Sequence, residues 1–258
     1  MSTQAGSANA EDEHVNDFES SSQLLNDSAC YRLDLEIQEI ESQIRELPSD
    51  HEDLPEYKYW LGSLFGRRYQ EEGDLQDLNA ALEILQEAID LSPDGHPIKA
   101  RCLQDLGITF TKRYTRLGDL DDIRAAVQVK QEAVNQSPEG HPERARYLHS
   151  FALSLMTQYR SLGDLDDLEV AVQKFQEAVD LTPEDDPNKP QRLQSLSVSF
   201  TDRYNRKGNL QDLEYALQIE QALVDMTPEE HPNRAVHLAS LAASISDDWE
   251  VYMIWKLL

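Results

Sequence analysis

An all-α, right-handed solenoid of stacked helix-turn-helix units is the fold class this 258-residue sequence predicts. Three observations carry the prediction. Gly73, Gly118, Gly163 and Gly208 stand 45 residues apart, as do Pro93, Pro138, Pro183 and Pro228, and Tyr69, Tyr114, Tyr159 and Tyr204. Between these markers apolar residues recur at helical spacing, as in Leu103, Leu106, Phe110 and Tyr114. Leu, Ala, Glu, Gln and Asp dominate the composition, which favours helix apart from Asp.

The elements follow in chain order. Residues 1–27 are polar, acidic and rich in Ser and Asn, and are expected to form a disordered arm. Residues 28–54 contain "YRLDLEIQEIESQIREL", with Leu33, Ile37, Ile40, Ile44 and Leu47 in alternating steps of four and three. Leu33, Ile37 and Ile44 precede Leu78, Leu82 and Ile89 by 45 residues, so this segment reads as an unpaired second helix capping the array.

Residues 55–249 hold four helix pairs and the first helix of a fifth. Each first helix is expected to open at a His-Pro or Asp-Pro step (His96-Pro97, His141-Pro142, Asp186-Pro187, His231-Pro232), because proline suits the first helical position. It ends at a glycine such as Gly118, a natural left-handed C-cap. The second helix starts at Asp119 or Leu120, carries Ala126, Val127, Ala133 and Val134 along one face, and stops before Pro138. The register holds to Trp249. Residues 250–258, "EVYMIWKLL", form an apolar off-register tail, so the array is expected to end in mid-repeat.

The net charge of −26 disfavours nucleic acid and anionic membranes as partners, since both would be repelled. No apolar run is long enough to span a bilayer, and no signal peptide is visible. Cys30 and Cys102 have no metal-ligand spacing, which fits a reducing, cytoplasmic location.

The acidic turn "RLGDLDDIRAAV" looks at first like a cation site. Its equivalents read "EEGDLQDLNAAL", "SLGDLDDLEVAV" and "RKGNLQDLEYAL", so Asp121 exchanges with Gln while Asp119 stays Asp or Asn. A hard cation needs retained oxygen ligands, whereas an N-cap needs only Asp, Asn, Ser or Thr. Helix capping is the better reading, with Leu117 and Leu120 as an apolar clasp across the turn. His96, His141 and His231 align with Asp186, an exchange that points to helix capping or a loop hydrogen bond rather than to a metal. Neither cysteine has a base near it in the pattern, so no enzyme activity, cofactor or metal is expected.

Ala171, Phe175, Ala178 and Pro183 carry the second-helix spacing of tetratricopeptide (TPR) repeats, and Leu106-Gly107 with Phe110, or Leu61-Gly62 with Phe65, matches the first-helix element. Lys130 and Glu220 depart from the pattern in the Phe slot. The 45-residue unit, longer than the usual repeat of about 34, resembles the arrays that precede the caspase-like domain of fungal CHAT-domain proteins. The resemblance implies a scaffold or sensor arm without the catalytic domain.

In such folds the first helices line a concave groove. By register the groove-facing residues are Arg101, Gln104, Ile108, Arg146, His149, Leu153, Gln191, Gln194 and Val198. Ile108, Leu153 and Val198 stand where the family's carboxylate clamp has Asn, which disfavours chaperone tails and favours a helix or extended peptide. Arg68, Arg113 and Arg203 recur at first-helix C-terminal ends. The favoured reading is compensation of helix dipoles and pairing with neighbouring acids; the alternative is a cationic ridge for an acidic peptide. The expected function is a protein-interaction scaffold with a protein or peptide partner; the alternative is a regulatory arm of a CHAT-type peptidase.

Overall fold

A computed structural model describes residues 31–230, 233–236 and 238–239. The expected acidic arm, the step at His231-Pro232, most of the fifth first helix and the apolar tail lie outside the described residues. The described secondary structure is helical: α1 (residues 31–46), α2 (Leu54–Glu72), α3 (Leu75–Asp90), α4 (Lys99–Leu117), α5 (Leu120–Asn135), α6 (Arg144–Leu162), α7 (Leu165–Asp180), α8 (Lys189–Lys207) and α9 (Leu210–Met226). Residues 233–236 begin a further helical segment. The chain divides into two compact units, Met1–Arg113 and Tyr114–Leu258.

Local chemistry sets the ends of the helices. Gly73, Gly118, Gly163 and Gly208 have φ of 75°, 73°, 77° and 70°, a left-handed region that costs glycine little. Each donates its N–H to the carbonyl of the tyrosine four residues back, at 2.7–2.8 Å. The next residue caps the second helix. Asp74, Asp119, Asp164 and Asn209 accept the backbone N–H two residues on at 2.9, 3.0, 3.0 and 3.1 Å. The acidic turn is therefore a helix stop followed by a helix start. Its leucines form no buried clasp: Leu117 is 57% and Leu120 38% exposed.

The first helices begin later than the prolines predict. Pro97, Pro142 and Pro187 lie in a turn, and α4, α6 and α8 start two residues beyond them. The preceding residue holds that turn. His51, His96 and His141 accept the backbone N–H two residues on through Nδ1, at 3.2, 3.3 and 3.1 Å. Asp186 does the same through Oδ1 at 2.7 Å. This shared acceptor role explains the exchange of His for Asp.

A second recurring device lies in basic residues 45 positions apart. Arg144, Lys189 and Arg234 reach back to the carbonyl ends of α5, α7 and α9. Arg144 donates to the Val134 carbonyl at 2.9 Å, Lys189 to Val179 at 3.1 Å and Arg234 to Val224 at 2.8 Å. Each places a cation at the negative end of a helix.

Within the first unit, Leu33 and Ile37 of α1 pack on Leu61 and Leu64 of α2, with Ile40, Ile44 and Phe65 against them. The apolar stripe of α1 is thus packed against α2. α2 and α3 meet closely because Gly62 faces Leu85; a Cβ at Gly62 would lie 2.7 Å from Leu85 Cγ. A Cβ at Gly66, one turn along, would meet nothing within 4 Å. Gly66→Ala is therefore expected to stabilise the chain by up to about 1 kcal/mol through helix propensity. Gly62→Ala is expected to destabilise it by about 1–2 kcal/mol, because overpacking outweighs that gain. Urea unfolding of the two variants checks the opposite signs.

In the second unit α5 packs on α6, α6 on α7, α7 on α8 and α8 on α9. Leu168 of α7 and the signature residues Ala171, Phe175 and Ala178 are at most 1% exposed and belong to the core, whereas Pro183 beyond the helix is exposed. The departures in the Phe slot are buried as well. Lys130 is 3% exposed and donates to Ser154 Oγ at 2.8 Å; Glu220 is 4% exposed and accepts from Ser197 Oγ at 2.8 Å. Burial pushes the Lys130 ammonium down to about 8.

Candidate functional site

The first helices of neighbouring repeats in the second unit, α6 and α8, enclose a groove of about 260 Å³. Its floor is Met156 and Phe175, which are 4% and 1% exposed. Leu153 on α6 and Val198 on α8 project over it, 44% and 41% exposed, and Gln191, Gln194 and Ser195 complete the α8 wall. Arg160 closes one end and is tied to Asp202 at 2.9 Å. Leu153 and Val198 are 45 residues apart, so one register position supplies an exposed apolar side chain from each helix.

His149 supports the α8 wall. Its Nε2 lies 2.9 Å from Ser195 Oγ, and its ring sits 5.4 Å from Phe175. The Ser195 hydroxyl proton is directed to the Gln191 carbonyl at 3.1 Å. The oxygen therefore accepts from His149, which places the proton on Nε2. Burial, and then the charges of Arg192 and Lys130, push the His149 imidazole down to about 4. The site at neutral pH is an apolar trough with an uncharged imidazole and amide side chains, suited to an apolar side chain and to backbone hydrogen bonds.

The structure thus gathers His149, Leu153, Gln191, Gln194 and Val198 around one groove. Gln104 is corrected: it is 2% exposed, so it is buried rather than groove-facing. Sequence register puts it on the outer stripe of α4, but its side chain turns inward. Arg101 lies over the Tyr59 ring at 5.2 Å, and Ile108 is half-buried on α4. Arg146 stacks on Tyr147 at 4.9 Å and is bonded to Glu143.

For the basic residues at the first-helix ends, the bonding follows the expected pairing with neighbouring acids rather than the alternative of an open ridge. Arg203 donates to Asp212 at 2.9 and 2.5 Å and to Glu169 at 3.1 Å, and lies over the Phe200 ring. Arg68 repeats this with Asp77, Asp34 and Phe65. Arg113 bonds Asn79 at 3.0 Å and lies over Phe110. These guanidinium groups clasp helices together, and hydrogen bonding to Asp77 and Asp212 holds the Arg68 and Arg203 charges well above the ordinary arginine range. They are not an open surface for an acidic ligand.

The sequence does contain a signal for this clasp. Arg68, Arg113 and Arg203 each meet the residue 34 positions back: Asp34, Asn79 and Glu169. In the remaining repeat the position 34 back is Arg124, and there Gln158 replaces the arginine. Gln158 still donates to Asp167 at 2.9 Å. A guanidinium at 158 would bring a like charge to the register of Arg124, and the joint exchange avoids it.

Cys102 is fully buried, and that burial raises its thiol to about 12, which removes thiolate chemistry at neutral pH. Among the described residues no helix is long and apolar enough to cross a membrane.

No protein-family model matches the chain, and no curated protein does. Solved structures do. A kinesin light chain-like protein of Podospora anserina, built of nearly identical TPR-like repeats, is similar with a TM-score of 0.54 and 18% identity over 83% of this chain and 95% of that one. BtubC (BKLC) from P. vanneervenii is similar with a TM-score of 0.61 and 15% identity over 86% of this chain and 83% of that one. The fold is that of TPR-like helical repeats.

Proposed function

We propose that this protein is a non-enzymatic protein-interaction scaffold that takes an apolar side chain of a helix or extended peptide in the groove between α6 and α8. The exposed pair Leu153 and Val198 over the Met156–Phe175 floor carries this reading. Large apolar side chains converge there on a concavity, with glutamine amides at the rim to satisfy a peptide backbone. The TPR-like repeat fold supports the general role. The second reading, a regulatory arm of a CHAT-type peptidase, draws on the repeat signature alone, and no structural observation favours it.

Selection of peptides from a random display library on the intact chain tests the groove. Selected peptides are expected to bind Leu153→Asp and Val198→Asp variants about tenfold or more weakly, because a carboxylate in the trough must be desolvated. Unchanged binding to both folded variants would reject the groove.

A further inference from the structure

A second cavity lies in the first unit and has different chemistry. It measures about 510 Å³ and is lined by Ile40 of α1 and by Asp53, Glu56, Tyr57 and Trp60. The last four follow one stripe of α2 and its N-cap, at helical intervals of three, one and three. Trp60 is 45% exposed, and Tyr59 meets its ring edge-on at 5.3 Å. We propose that this cavity binds the cationic side chain of an arginine or lysine in a basic peptide segment of a partner protein.

Three observations carry the inference. First, an exposed indole and a phenol flank two carboxylates, a combination that attracts a cation both through the ring faces and by charge. Second, the carboxylates are not already neutralised. Among the described residues no Lys or Arg pairs with Asp53 or Glu56. The His51 nitrogen 3.8 Å from Asp53 is the one that accepts a backbone N–H, so it carries no proton. Third, the chemistry is not inherited from the repeat. Glu56 corresponds to Arg101, Arg146 and Gln191, and Trp60 to Asp105, Ser150 and Ser195. Carboxylates at the start of α2 also oppose its dipole, but that role gives no reason for an exposed tryptophan beside them.

Charge complementarity selects the occupant. Residues 1–30 carry six Asp and Glu and no Lys or Arg, so the chain's own N-terminal segment is repelled. A second copy, at net charge −26, is repelled as well. The array itself uses the proposed contact, since Arg101 lies over the neighbouring Tyr59 ring at 5.2 Å. The site is independent of the groove between α6 and α8, and different variants test it.

Isothermal titration of the full chain with the peptide acetyl-Gly-Arg-Gly-Arg-Gly-Arg-Gly-amide, against its glutamine counterpart, tests the proposal. The arginine peptide is expected to bind about tenfold more tightly than the glutamine peptide, and salt should weaken it. Trp60→Ala and Glu56→Gln should each reduce affinity by about fivefold, and Trp60→Phe should restore most of the loss. Glu83→Gln, an exposed carboxylate on α3, should leave affinity unchanged. No binding by the full chain, equal affinity for the glutamine peptide, an unaltered affinity in Trp60→Ala, or an equal loss in Glu83→Gln would each overturn the proposal.

Discussion

Replacing Asp212 with alanine is expected to destabilise the second unit by about 3 kcal/mol, the cost of stranding a largely buried guanidinium. The Asp212 side chain is 2% exposed and that of Arg203 19%, so little water reaches the pair. Two hydrogen bonds are lost at once. Glu169 and the Phe200 ring remain beside Arg203 and keep the loss at the lower end of the range for buried pairs. An Arg203→Met, Asp212→Leu double variant should recover much of it, because no charge is then left without its counterion. Urea titrations of both singles and the double give the coupling energy. Strict additivity of the single effects would show that the clasp does not hold α8 to α9.

His149 is expected to make the second unit acid-sensitive. Burial holds its imidazole neutral down to about pH 4, whereas in the unfolded chain it takes up a proton near its usual value of about 6.5. Between these values the unfolded state binds the extra proton, so stability rises with pH across that window. His149 therefore contributes fully above about pH 6.5, and its contribution is lost as pH falls toward 4, by about 2–3 kcal/mol at pH 4.5. Ion pairs such as that of Glu169 with Lys207 also weaken in acid, so the comparison needs a variant. His149→Gln keeps an N–H for Ser195 without a titrating ring. Denaturation at pH 7.5 and 4.5 should show a smaller acid loss in His149→Gln by that amount. Identical losses would mean that His149 is protonated in the folded chain.

Under the proposed function the same histidine bears on peptide binding. Ser195, which lines the trough, is bonded both to His149 and to the Gln191 carbonyl. Acid that charges His149 would place a cation against Phe175 and near Lys130 and Arg192. Peptide binding at the groove and stability of the second unit should therefore decline over the same pH range.

The amino-acid sequence by itself determined the period, the helical class, the glycine C-caps and the Asp or Asn N-caps. These depend on interactions within four residues along the chain, and each recurs often enough to be compared with itself. The capping role of the acidic turn and the loop bond shared by His and Asp are legible for that reason. The start of the first helices is not, because a His-Pro step opens a separate turn as readily as a helix, and the helices begin two residues later. Leu33 and Ile37 are legible as a packing stripe, since their spacing matches the later second helices.

Tertiary structure alone decided which side chains stay exposed. Arg68 and Arg203 look like free surface cations along the chain, yet partners nine residues ahead and 34 residues back consume their charge. Ile108 and Leu153 share one first-helix register position, yet one is half-buried and the other exposed. The physical reason is that helical periodicity fixes which stripe a residue occupies but not where the boundary of burial falls. That boundary is drawn by the neighbouring helices, and it left an apolar trough between α6 and α8 and an anionic aromatic pocket on α2.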